Sequence, residues 1–138
     1  MTKEFWINLP VKDINKSKEF FNKLGFKFNT KHGNNEYSAS LLIGDKNVVV
    51  MLFDEPTFKS FTNNEIVNTK QGTEVLLSID AESKEEVDEM AEKAIKAGGK
   101  SNHKPTDMKG WMYGCIFSDI DGHCWNVLYM DMSKIPSA

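Results

Sequence analysis

The chain repeats itself. Laid over one another, residues 11–19 (VKDINKSKE) and 79–87 (IDAESKEEV) run through the same order: the end of an apolar strand, an acidic turn, a helix, then a glycine and a new strand. A period of about 68 residues is too long for a solenoid unit and suits two halves packed into one site. Each half must therefore read as the same set of elements.

In the first half, residues 5–11 predict a strand with Phe5, Ile7 and Leu9 on one face and Trp6 and Asn8 on the other. Pro10 has no amide hydrogen to give a ladder and belongs at an edge or a strand end. Asp13 or Asn15 caps a helix reaching about Leu24, with Ile14, Phe20, Phe21 and Leu24 on its apolar side and Gly25 as its stop. Strands are expected over 26–31, 37–43 and 47–53, joined by turns at Gly33-Asn34-Asn35 and Gly44-Asp45-Lys46. A capped helical turn follows Asp54 over 55–61.

The second half repeats this order. Residues 73–80 predict a strand, and Ser83 caps an acidic helix with Glu86 placed for a capping box and Gly98-Gly99 at its end. A short strand over 100–103 leads to a closing hairpin over 110–128. The modules thus run about 1–61 and 73–131, with a polar linker at about 62–72.

In the hairpin, Asp121-Gly122 is a two-residue turn signal between two apolar runs. That turn sets Phe117 opposite Asn126 and Ser118 opposite Trp125. One face then carries Cys115, Phe117, Cys124, Asn126 and Leu128, and the other Ile116, Trp125, Val127 and Tyr129. Because Trp125, Val127 and Tyr129 form a core face, the polar Asn126 must look into solvent or a cavity.

The 138 residues are enough for one domain with a real core. A hydrophobic share of 40% with a charged share of 27% places the chain among soluble globular proteins. The formal charge of −3 and the absence of a basic run give no electrostatic case for nucleic acid. No segment predicts a membrane span or a signal sequence, so a cytoplasmic location is expected. In the register above Cys124 faces Asp119, four residues from Cys115 and roughly 13 Å along the strand, which excludes a disulfide. Two free thiols agree with a reducing compartment.

The paired modules, the opening FWINLPVKDINKSKEFFNKLGF, the strand TEVLLSID and the ending DIDGHCWNV resemble the glyoxalase, bleomycin-resistance and extradiol-dioxygenase (vicinal oxygen chelate) superfamily. The stretches NLPVKD and DEPTFKSF are similar to those of a bacterial branch labelled predicted lactoylglutathione lyase. The resemblance implies an α+β fold: two β-α-β-β-β modules forming a curved mixed sheet around a cavity, with helices on the outside. It also implies a homodimer.

Metal-binding members place four ligands on four strands, and by resemblance these positions fall on Trp6, Glu74, Met51 and Asn126. Of these only Glu74 is a good ligand for a hard or borderline divalent ion; an indole lends no lone pair, a thioether is soft and an amide oxygen is neutral. Catalytic zinc takes about three protein ligands, so no metal centre is expected. The implied cavity wall is Trp6, Asn8, Val49, Met51, Phe53, Glu74, Leu76, Phe117 and Asn126, an apolar lining with a few polar groups. A buried Glu74 would have its pKa raised towards that of a general base.

Two functions follow from the resemblance. One is a metal-poor protein that binds a small hydrophobic or aromatic molecule. The other is a lactoylglutathione lyase-like lyase or isomerase that uses Glu74 as catalytic base, with or without a weakly held Zn or Ni. His123 reads as a turn residue, and His103 and His32 as exposed loop. Trp111-Met112-Tyr113 is a lid or a dimer contact, and the sequence does not choose between them.

Overall fold

The computed structural model describes residues 1–136. The chain divides into two compact units, with the boundary between Asn68 and Thr69. In the first unit the order is β1 (Ile7–Val11), α1 (Ile14–Lys23), β2 (Lys27–Phe28), β3 (Ser38–Ile43), β4 (Val48–Asp54) and α2 (Glu55–Thr62). Its sheet runs β1-β4-β3-β2, with β1 parallel to β4 and the other pairs antiparallel. The second unit repeats the plan with β5 (Leu76–Asp80), α3 (Lys84–Lys96), β6 (Lys100–Met108), β7 (Met112–Ser118) and β8 (Cys124–Met130), sheet order β5-β8-β7-β6, then a short 3-10 turn, Met132–Lys134. The expected α+β fold of two β-α-β-β-β modules is therefore present.

Caps explain where the helices start. Asp13, Asp54 and Ser83 are extended, and each side chain accepts a hydrogen bond from the amide three residues on. Glu86 reaches back to the amide of Glu82 at 3.0 Å, one residue earlier than a capping box would take. The caps Asp13 and Ser83 put the helices about 70 residues apart, slightly more than the period read from the sequence. Pro10 lies in β1, an edge strand, where its missing amide hydrogen costs little.

Strand alternation makes the core of the first unit. Leu9, Val11, Ala39, Leu41, Val50 and Leu52 are buried towards α1, which contributes Ile14, Phe20 and Phe21. The rings of Phe20 and Phe21 meet edge to face at 5.1 Å, and Phe26 meets Phe21 at 5.8 Å. Each such buried side chain contributes on the order of 1.5–3 kcal/mol.

Several boundaries differ from expectation. β1 begins at Ile7, β5 only at Leu76, and β2 is two residues long. β6 runs nine residues, past the short strand expected there, with irregular register against β7 between Ser101 and Thr106.

The closing hairpin is the main correction. Its turn is a five-residue loop, since Ser118 pairs with Cys124 and the residues between them lie outside the ladder. Phe117 consequently sits opposite Trp125, and Ile116 opposite Asn126. A shift of one residue moves one strand's side chains to the other face relative to its partner. Cys115, Phe117, Trp125 and Val127 all become core, and the Phe117 and Trp125 rings stack at 6.4 Å. Cys115 and Cys124 project to opposite faces; both are buried and free.

Candidate functional site

Asp119 organises the hairpin loop. Its Oδ1 accepts from the amides of Asp121 and His123, both at 3.0 Å, and its Oδ2 accepts the Trp125 indole N–H at 3.1 Å. Gly122 supplies the positive φ, +86°, that turns the chain inside this bracket. Burial pushes the Asp119 carboxyl above the usual carboxylate range, while the His123 charge and the Trp125 hydrogen bond pull it back. Asp119 thus holds the loop at the head of β8, the strand that carries Asn126.

Each unit presents a second sheet face, turned away from α1 in the first and from α3 in the second. On the first, Asn8 of β1 pairs with Met51 of β4, which pairs with Ser40 of β3. Alternation sends Asn8, Val49, Met51 and Phe53 to this open side, along with Trp6 just ahead of β1. Trp6 is 52% exposed. Phe53 meets Phe61 of α2 edge to face at 5.0 Å. The loop before β3 approaches Met51 through Gly33, at φ +76°, where an added Cβ would stand 3.0 Å from Ser40 Cβ and 3.3 Å from Met51 Cε.

On the second face Ser78, Asn126, Ile116 and His103 fall in register across β5, β8, β7 and β6. Asn126 Nδ2 donates to Ser78 Oγ at 3.2 Å. Nearby, Cys124 Sγ lies 3.4 Å from Asn102 Nδ2 and 3.6 Å from Thr73 Oγ1, and Ser118 Oγ donates to Asn102 Oδ1 at 2.8 Å. His103, read from the sequence as loop, lies on β6, exposed, with Nδ1 3.0 Å from the Lys104 carbonyl.

Of the sequence-predicted residues, Trp6, Asn8, Met51 and Phe53 share the first open face, and Asn126 lies on the second. Phe117 does not: it is 1% exposed, on the core side against Trp125. Glu74 precedes β5 and is exposed, not buried as a tuned general base would be. Ser78, Ser40 and Asn102 were not singled out from the sequence. For Ser78 a signal existed, a hydroxyl between Leu77 and Ile79 on an alternating strand. Asn102 carried none, because its direction depends on the irregular β6.

Among the described residues no three His, Cys, Asp or Glu side chains gather where they could hold a metal ion. The open faces instead offer indole, thioether, amide and hydroxyl groups. No helix among the described residues is long and apolar enough to cross a membrane.

The family model for the Glyoxalase/Bleomycin resistance protein/Dioxygenase superfamily matches residues 5–127. Among solved structures, the hypothetical protein SA1046 from S. aureus is 32% identical, with a TM-score of 0.83 over 94% of this chain and 95% of that one. A glyoxalase/bleomycin resistance protein/dioxygenase family enzyme from Burkholderia phytofirmans PsJN is 18% identical, with a TM-score of 0.76 over 91% of this chain and 96% of that one. A glyoxalase-related enzyme from Fulvimarina pelagi is 15% identical, with a TM-score of 0.78 over 94% and 88%. The two lower identities speak for the fold alone. None of the curated proteins matches this chain.

Proposed function

Because this chain belongs to the Glyoxalase/Bleomycin resistance protein/Dioxygenase superfamily, we propose that it is a metal-poor member that binds a small hydrophobic or aromatic molecule on the open faces of its sheets. The observation that carries this reading is the exposed Trp6 indole on the face that also presents Asn8, Met51 and Phe53. A large aromatic surface left in water beside an amide suits a flat apolar ligand with a polar edge.

Fluorescence titration with a panel of planar aromatic compounds tests the proposal. Saturable quenching that Trp6→Ala abolishes while Trp111→Phe keeps it is the expected result. A panel that produces neither quenching nor a thermal shift overturns it.

The lyase reading has weaker support. A general base contributes most when its pKa is tuned and an electrophilic partner stabilises the developing charge. Glu74 is exposed, and among the described residues no cluster of three His, Cys, Asp or Glu side chains accompanies it. A hemithioacetal isomerisation assay with and without added Ni or Zn decides between the readings, since turnover lost in Glu74→Gln would favour the enzyme. The proposal extends to a homodimer in a reducing cytoplasm, where Cys115 and Cys124 stay as thiols.

A further inference from the structure

Three methionines stand in one row on the second unit. Met108 of β6 pairs with Met112 of β7, and Met112 pairs with Met130 of β8. Paired residues on neighbouring antiparallel strands share a face, so the three thioethers project to the same side. The other side belongs to α3: Tyr113 donates to Asp88 Oδ1 at 2.7 Å, and Asp107 meets Lys84 at 3.7 Å. Asp107 and Tyr113 are the chain neighbours of Met108 and Met112, so alternation turns the methionines away from α3 and onto the open face.

The row is held in place and open to solvent. Lys109 and Gly110, at φ +58° and +77°, close the turn between β6 and β7, and the Gly110 amide donates to Asp107 Oδ1 at 3.0 Å. Just beyond Met130 the Asp131 amide donates to the Trp111 carbonyl at 2.7 Å. Met130 is 40% exposed, and Met108 and Met112 are half-buried. Met108 already leans inward: a Cβ built on Gly114, the next open-face residue of β7, would stand 3.3 Å from Met108 Cε and 2.9 Å from Leu128 Cδ1. The side chain that Gly114 lacks leaves the space into which Met108 reaches across β7.

The chemistry of the row is soft and uncharged. Leucine would serve an apolar face equally well, yet three of the chain's seven methionines gather here. Cβ atoms of paired residues stand about 4.5–5.5 Å apart, and three rotatable bonds let each thioether swing towards its neighbour. Thioethers select soft ions such as Cu(I), whereas hard and borderline divalent ions prefer oxygen and imidazole.

We propose that Met108, Met112 and Met130 bind a soft monovalent cation of the Cu(I) class through their three sulfurs. The site is independent of the ligand proposed against Trp6. The test is NMR of the full chain labelled with 13C at the methionine methyl groups and titrated with silver nitrate, Ag(I) being a redox-stable stand-in for Cu(I).

The Met108, Met112 and Met130 methyls should shift together on one saturable curve, at least about ten-fold tighter than the lone, fully exposed thioether of Met1, because linked donors raise the effective concentration of one another. Zinc sulfate should move none of the three. M112L/M130L, which keeps volume and apolarity, should weaken the Met108 shift by at least about ten-fold with the rest of the spectrum kept. Cys124→Ser should leave the three shifts unchanged. Equal shifts at Met1, an equal response to zinc, full binding by M112L/M130L, or no shift at all overturns the proposal. Loss of the shifts in Cys124→Ser would also overturn it, by moving the ion to the thiol.

Discussion

Asp119 shows how much one buried side chain decides. Three N–H groups converge on its carboxylate, and replacing it by Asn turns one acceptor oxygen into a donor facing other donors. Asp119→Asn should cost roughly 1–3 kcal/mol in urea unfolding. Because the folded carboxyl is held above its ordinary value, the native state keeps its proton where the unfolded chain has lost it. The stabilising contribution of that proton is present at low pH and declines as pH rises from about 4 through the folded value. The deficit of Asp119→Asn relative to the parent should therefore shrink between low pH and neutrality; a deficit that grows would contradict the raised value. Cys115 gives a second test. Burial first, then the charge of Asp88, pushes its thiol up to about 11, so the reactive thiolate is scarce at neutral pH. Mass spectrometry after iodoacetamide at pH 7.5 should find Cys115 unmodified in the folded protein and modified in urea.

Among the elements, the β7–β8 hairpin and the loop before β3 carry the argument. Both apolar runs of the hairpin were legible, and so was the glycine turn, but register was not. A two-residue turn and a five-residue loop place the same strands one residue apart, and the choice rests on the Asp119 bracket and on the Phe117–Trp125 stack, side-chain contacts that a glycine turn signal does not encode. Asn126 survived this shift as an open-face residue because Trp125 and Val127 bury themselves in either register, whereas Phe117 changed sides. At Gly33, a Val would meet Ser40 and Met51 at a positive φ. Gly33→Val should destabilise by about 1–3 kcal/mol from strain alone, and the shifts it causes should appear at Ser40 and Met51 in an amide spectrum. Helix starts were the clearest local signals, since Ser83 and Asp54 each meet an amide three residues ahead. Ser83→Ala should cost about 1 kcal/mol, read as a lower midpoint in thermal unfolding.

At the scale of the whole molecule, the proposed homodimer predicts twice the 15.7 kDa chain mass in sedimentation equilibrium at micromolar concentration. A single monomeric species across the concentration range would remove that part of the proposal. The duplicated order of elements, the helix caps and the alternation of β1 and β4 could all be read from residues in order, because each depends on neighbours within a few positions. The exposure of Glu74, the true partners of Phe117 and the turn of Asn102 towards Cys124 could not. Those follow from which distant side chains fill a shared volume or satisfy a buried hydrogen bond, and such contacts exist only once the chain has folded.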